Sequence, residues 1–175
     1  MKVGSCGGVT IVTADAFDQL ALIAEISATF LGFIAVFLIL SDKEGRFHES
    51  DKHFVQALVL TAAYTIVLAL TPGALSFFMA GDVLWTLSLG IAAVLGMASA
   101  LFQARGQLKM TREEAAKIHW GWHFAAWGIS IIASLLIIAG LLGFADPVGM
   151  LIGTLSLGIF LALLLFIGVV FRKFF

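Results

Sequence analysis

Five long apolar runs separated by short polar stretches form the pattern of this chain. The predicted spans cover about residues 17–40, 53–79, 83–104, 112–143 and 147–171, and the apolar run of the fourth span begins at about Trp120. Each is long enough to cross a hydrocarbon layer of about 30 Å at 1.5 Å per residue. Because lipid offers the backbone no hydrogen-bond partners, a segment that crosses it must be helical. The pattern therefore predicts an all-α polytopic membrane bundle of five transmembrane helices over residues 17–175.

The positive charges lie almost entirely on one side of this arrangement. Nine of the ten Lys and Arg residues lie between the first two runs, between the third and fourth, or after the fifth, and only Lys2 precedes the first run. The positive-inside rule assigns such basic segments to the cytoplasm. We therefore predict a multi-pass protein of the plasma (inner) membrane with its N-terminus outside and its C-terminus inside. Residues 1–16 would form an extracytoplasmic tail.

Short polar connections are expected on the side opposite the basic segments. Gly81-Asp82 and Asp146-Pro147 each join two runs. Asp is a favoured N-cap, and Pro is well tolerated at the first helical position, so both pairs are typical of a turn followed by a helix start. Pro72 could either kink or end the second helix, because a proline removes one backbone hydrogen bond.

Composition agrees with a membrane protein and excludes other classes. Apolar residues make up 61% of the 175 residues and charged residues only 12%, against about 25% charged in soluble domains. The net charge of −1 gives no basic excess for nucleic acid. The single cysteine excludes an internal disulfide. Because no hydrolase, phosphate-loop or zinc-protease motif occurs, we do not expect an enzyme.

Glu25 is a carboxylate deep inside the first apolar run. It lies eight residues after Phe17, which places it about 12 Å into the helix. No Lys or Arg occurs in that run. A charged group at this depth is costly, so it is a functional candidate by default. Because small residues at three- and four-residue spacings share its face, we expect Glu25 to point into the bundle.

Hydroxyl groups on several helices are expected at a depth similar to that of Glu25. The candidate proton- or cation-binding residues are Glu25, Thr29, Tyr64, Thr65, Ser88 and Ser134. A protonatable carboxyl among hydroxyls is suited to a proton or monovalent-cation path. We therefore predict a small channel- or transporter-like protein. The alternative is a structural or accessory subunit of a homo- or hetero-oligomer, in which Glu25 hydrogen-bonds a neighbouring helix.

Two histidines at the start of the fourth run offer a different chemistry. His119 and His123 are four residues apart and share a helix face, and His53 enters the second run on the same side. Such a group suits a metal ion or a haem iron. Trp and His at a helix entrance are also ordinary interfacial anchors. A haem- or metal-binding protein therefore stays a second alternative, and we assign no cofactor.

Small residues recur every four positions in several runs, which lets helix backbones approach closely. We expect packing at Gly32, Gly96, Gly149 and Gly153. The longest such stripe lies in the third run, which predicts a central position for that helix. Besides the lipid bilayer, we expect self-association or another membrane subunit as the partner.

The first third of the chain also supports a resemblance. LALIAEISATFLGFIAVFLIL is followed by a short charged loop that contains Gly45-Arg46 and Asp51. An Ala-Glu-Ile core with Gly-Phe a few residues later resembles the first helix of small uncharacterised multi-pass bacterial inner-membrane proteins. The resemblance implies a prokaryotic plasma membrane and supplies no activity.

Overall fold

The computed structural model describes residues 7–43, 49–108 and 120–174. These residues form five helices, namely α1 Gly7–Lys43, α2 Glu49–Leu75, α3 Asp82–Leu108, α4 Trp120–Leu141 and α5 Pro147–Phe174. Each helix contains a stretch that is long and apolar enough to cross a membrane: Ala14–Ile39, Val55–Leu75, Asp82–Arg105, Phe124–Leu141 and Pro147–Gly168. The prediction of an all-helical protein with five candidate spans is confirmed.

Helix α2 continues through Pro72 and ends at Leu75. Pro72 lies only three residues from the end of the helix, so its missing N–H removes one hydrogen bond from the last turn alone. The carbonyl of Pro72 still accepts a bond from the backbone N–H of Ser76 at 2.9 Å. The turn is then closed by the N–H of Met79, which donates to the Leu75 carbonyl at 3.0 Å.

The turn between α4 and α5 shows how tightly the helices are connected. Gly143 has a φ of 74°, a left-handed conformation that favours glycine at a helix C-terminus. The N–H of Phe144 donates to the Ala139 carbonyl at 3.0 Å, which is the bond pattern of a Schellman motif. Asp146 accepts the Gly149 N–H at 2.8 Å, so the predicted N-cap before Pro147 is confirmed.

Helix α5 is at the centre of the bundle. It packs against all four other helices, and α1, α2, α3 and α4 follow one another around it as sequential neighbours. The prediction that the third helix is central is therefore wrong. The small-residue stripe of α3 is buried at Ser88 and Ala92 but exposed at Ala100. Such a stripe permits close approach of one neighbour without specifying how many helices surround it.

Two apolar clusters hold the bundle together at different depths. The cluster near the short turns joins Leu20 of α1, Leu68 of α2, Leu89 of α3 and Leu155 of α5. The second cluster joins Ile34, Leu58, Ala162 and Leu165. Beside it, the ring of Phe166 lies with its centroid 5.5 Å from each of three α1 rings, those of Phe30, Phe33 and Phe37. Because residues 20–34 of α1 follow residues 155–165 of α5 in the same direction, these two helices are parallel.

Candidate functional site

Glu25 lies on the outer face of α1, with its side chain exposed. The buried positions of α1 are Ala16, Leu20, Ile23, Ala24, Ser27 and Ile34, and Glu25 faces away from them. The expectation that Glu25 points into the bundle is therefore wrong for the single subunit. Burial in α1 does not follow residue size: Ala16 and Ala24 are buried, whereas Leu22, Ile26 and Phe33 are exposed together with Glu25.

We call five exposed small or polar residues the Glu25 face: Ala21, Glu25, Ala28, Thr29 and Gly32. The exposed apolar side chains of Leu22 and Ile26 lie beside it. Glu25 lies near the middle of the candidate span Ala14–Ile39, about 17 Å from its first residue at 1.5 Å per residue. Within the part of the chain that the structure describes, neither Glu25 nor Thr29 has a hydrogen-bond partner. The face therefore presents an unsatisfied carboxyl group at mid-span.

Three of the predicted hydroxyls are satisfied inside the subunit. Tyr64 donates from α2 to the Ala92 carbonyl of α3 at 2.7 Å. Thr65 donates to the Thr61 carbonyl at 2.9 Å and Ser88 to the Leu84 carbonyl at 2.8 Å, and both side chains are only 1% exposed. The structure does not bring them to Glu25, because they lie in the bundle interior and Glu25 lies outside.

The fourth hydroxyl, Ser134, lies on the exposed surface of α4. Its hydroxyl donates to the Ser130 carbonyl at 2.8 Å, and Ser130 in turn donates to the Ala126 carbonyl at 2.9 Å. The main neighbours of helix α4 are α3 and α5, whereas those of α1 are α2 and α5. The structure thus separates Ser134 from Glu25 within one subunit.

The four glycines that were expected to pack have different surroundings. A Cβ at Gly96 would be 3.0 Å from the Tyr64 hydroxyl, and one at Gly153 would be 3.5 Å from Leu136 of α4. A Cβ at Gly149 would meet only Asp146 of the preceding turn, at 3.4 Å. A Cβ at Gly32 would meet no described atom within 4 Å. Gly32 and Gly149 therefore make no helix contact among the described residues of one subunit.

Sequence reasoning missed the two described glycines at which a neighbouring helix leaves least room for a side chain. A Cβ at Gly158 of α5 would be 2.7 Å from the Thr65 hydroxyl of α2. A Cβ at Gly140 of α4 would be 2.7 Å from Leu89 of α3. The sequence shows these glycines but not the residues opposite them, since that requires the register between helices.

Two further hydroxyls are buried: that of Ser27, which sequence reasoning missed, and that of Thr154, which the sequence offers at the depth of Glu25. They are 3% and 5% exposed, and neither oxygen has a hydrogen-bond partner among the described residues. Other serines and threonines of the bundle, such as Thr61, donate to the carbonyl four residues earlier. An unpartnered buried hydroxyl destabilises a fold, so both positions differ in kind from Thr65 and Ser88.

The histidine hypothesis is not tested by the described residues. His119 lies outside them, and so do the side chains of His53 and His123. In the described ranges, no three or more His, Cys, Asp or Glu side chains are grouped so that they could hold a metal ion.

Comparisons with known proteins add no assignment to this geometry. No protein-family model matches the chain, and no curated protein or solved structure matches it. The roles of Glu25 and its neighbours therefore depend on their placement in this bundle alone.

Proposed function

We propose that this protein is a small channel- or transporter-like membrane protein in which Glu25 binds a proton or a monovalent cation. One observation carries the proposal: an ionisable carboxyl lies at mid-span on the outer face of α1 with no partner among the described residues. Exposing such a group to hydrocarbon is unfavourable by at least a few kcal/mol. Because the carboxyl lowers the stability of the protein in the membrane, we expect it to have a function.

The path for the ion would run along the outside of the subunit. The interior hydroxyls of Tyr64, Thr65 and Ser88 are already bonded to backbone carbonyls. Tyr64 also packs against the first apolar cluster, which contains Leu84 and Leu89 on either side of Ser88 in α3. The Glu25 face, in contrast, is small, polar and open. We therefore propose an oligomer in which Glu25 lies at a boundary between subunits.

The proposed topology has the N-terminus outside and the C-terminus inside a bacterial plasma membrane. The distribution of basic residues supports this orientation, because nine of ten lie at the same end of the five-helix arrangement. Reporter tags that fluoresce or are cleaved on only one side of the membrane would test it, one at each terminus. Both termini on the same side would contradict five membrane crossings.

Reconstitution into vesicles tests the function of Glu25. We expect Glu25→Gln to reduce proton or monovalent-cation flux to the level of protein-free vesicles, because an amide neither titrates nor carries charge. Glu25→Asp keeps the carboxyl and should retain part of the flux. Asp15→Asn is the matched control, because Asp15 is an exposed carboxylate on another side of the same helix.

The accessory-subunit alternative gives a different result in the same experiment. If Glu25 only bonds a neighbouring helix, Glu25→Gln should leave flux unchanged and lower the thermal stability of the purified oligomer. The haem or metal hypothesis is tested separately on purified protein. It requires a Soret absorbance band or a stoichiometric metal that is lost in His119→Ala and His123→Ala variants.

A further inference from the structure

Helix α4 carries two exposed polar side chains near the middle of its span. Only 11% of its spanning window is buried, the lowest share among the five candidate spans. Ser130 and Ser134 lie on its outer surface. Their hydroxyl hydrogens are bound to the carbonyls of Ala126 and Ser130, so both oxygens keep lone pairs that can accept a further hydrogen bond.

Contacts inside the bundle show how deep Glu25 lies relative to the central helix. Phe33 of α1 is the middle one of the three rings around Phe166 of α5. Glu25 lies eight residues before Phe33, and Gly158 lies eight residues before Phe166. Because α1 and α5 run in the same direction, Glu25 and Gly158 are level.

The serine pair lies at the same depth. Gly153 of α5 faces Leu136 of α4, and Gly140 of α4 faces Met150 of α5, so these two helices are antiparallel. Gly158 lies five residues after Gly153 in α5, and Ile131 lies five residues before Leu136 in α4. Because the helices are antiparallel, Ile131 and Gly158 are level. Ser130 and Ser134 are one and three residues from Ile131, which places both within about 5 Å of the depth of Glu25.

The two polar surfaces lie on different flanks of the subunit. Helices α1 and α4 each pack on α5, but α1 has α2 as its other neighbour and α4 has α3. A subunit with complementary surfaces on two flanks can associate head to tail, and such contacts produce a ring when the rotation closes.

We infer that a second copy of this chain covers Glu25, with Ser130 and Ser134 of its α4 against the Glu25 face. This inference rests on the proposed function, because it takes Glu25 as the binding group and completes its site. A protonated carboxyl donates its hydrogen bond to a serine oxygen of the neighbouring copy. A monovalent cation in place of the proton is held by the carboxylate together with the same serine oxygens.

Other features of the Glu25 face favour a serine-bearing helix over a second Glu25 face. Two Glu25 faces in contact would bring two carboxyl groups together, and whenever both release their protons the two like charges repel strongly in a medium of low dielectric. Ala21, Ala28 and Gly32 let a partner helix approach closely. A Cβ at Gly32 meets no described atom within 4 Å, so this part of the face is open to a neighbour.

Cysteine cross-linking between two tagged copies tests this contact. In a Cys6→Ser background, one copy carries Ala28→Cys and the other carries Ser130→Cys, and the membranes are oxidised with copper phenanthroline. We expect a cross-link between the two tags, and a ladder of higher species from a chain that carries both cysteines. Ala28→Cys paired with Leu87→Cys, on the exposed face of α3, is the control and should not cross-link.

Two results would overturn the inference. One is efficient cross-linking of Ala28→Cys with itself, which stops at dimers. The other is no cross-link to Ser130→Cys in membranes where the untreated protein runs as an oligomer. Flux measurements separate the two proposals. If Glu25→Gln abolishes flux but the α1–α4 cross-link does not form, only the proposed contact is wrong. If the cross-link forms but Glu25→Gln has normal flux, the ion-binding role of Glu25 is wrong and the contact between copies stands.

Discussion

The bundle interior and the Glu25 face both place polar groups at membrane depth, but they treat them differently. Inside, Tyr64, Thr65 and Ser88 each donate to a backbone carbonyl. Outside, the Glu25 carboxyl has no partner among the described residues. A hydrogen-bonded hydroxyl contributes to the packing of the subunit. An unpartnered carboxyl needs a hydrogen-bond partner or a bound ion from outside the described subunit. This difference is the reason why we propose that the functional group lies on the surface of this bundle.

The interior itself is not uniform. Ser27 and Thr154 are as buried as Thr65 and Ser88 but lack hydrogen-bond partners in the described ranges. An unpartnered hydroxyl is neutral, whereas the carboxyl of Glu25 is ionisable, so its exposure to hydrocarbon is much less favourable. The polar groups therefore fall into three classes: hydrogen-bonded hydroxyls, unpartnered hydroxyls and the unpartnered carboxyl. Substitutions can test each class.

The largest expected effect is on flux. Thr61→Val removes an interior hydroxyl that is bonded to the Ala57 carbonyl and should leave proton and cation flux in vesicles unchanged. Glu25→Gln should reduce that flux to background, because it removes the only one of these two groups that can titrate. Equal losses of flux in the two variants would mean that the interior and the Glu25 face do not differ in function.

The next largest effect is on stability inside the bundle. Gly158→Ala places a Cβ 2.7 Å from the short Thr65 side chain, and such overpacking destabilises by about 1–3 kcal/mol. Gly32→Ala should be neutral in one subunit, because nothing described lies within 4 Å of its Cβ. Thermal unfolding of both variants in detergent measures the difference, and an unchanged midpoint for Gly158→Ala would contradict the described packing.

Loss of the Tyr64 hydroxyl should have a smaller effect on stability, and this effect should be coupled to a substitution at Gly96. Tyr64→Phe removes the bond to Ala92 and should destabilise by about 1 kcal/mol. Gly96→Ala places a Cβ 3.0 Å from the same hydroxyl, so it should be less costly in the Tyr64→Phe background. A double-mutant cycle on unfolding midpoints measures this coupling. Additive effects would mean that α2 and α3 do not meet through this hydroxyl.

The smallest effect is expected at the unpartnered hydroxyl of Ser27. Ser27→Ala removes a buried oxygen without a described partner and should leave stability unchanged or raise it by up to about 1 kcal/mol. Ser88→Ala, in contrast, removes a bonded hydroxyl and should lower stability slightly. If Ser27→Ala is clearly the more damaging change, Ser27 has a partner in the folded protein.

The sequence predicts the helices of this protein but not which residues of neighbouring helices contact each other. Hydropathy and length identify all five candidate spans, because a segment in lipid must be both apolar and helical. The Asp146-Pro147 helix start was also predictable, since capping is a local property. The outward direction of Glu25 was not, because small residues beside it are compatible with contacts inside a subunit or between subunits. The Thr65–Gly158 contact depends on a register that no local pattern encodes.

Carbodiimide labelling tests the central claim most directly, because these reagents modify protonated carboxyl groups. The account predicts that a lipid-soluble carbodiimide labels Glu25 in membranes and that a water-soluble one does not. Slower labelling in the presence of added monovalent cations identifies a cation as the bound species, and an unchanged rate identifies a proton. Peptide mass spectrometry identifies the modified residue, with Glu25→Gln as the control. Equal labelling of Glu25 by the water-soluble reagent, or no labelling by the lipid-soluble one, would contradict an ion-binding carboxyl held at mid-membrane.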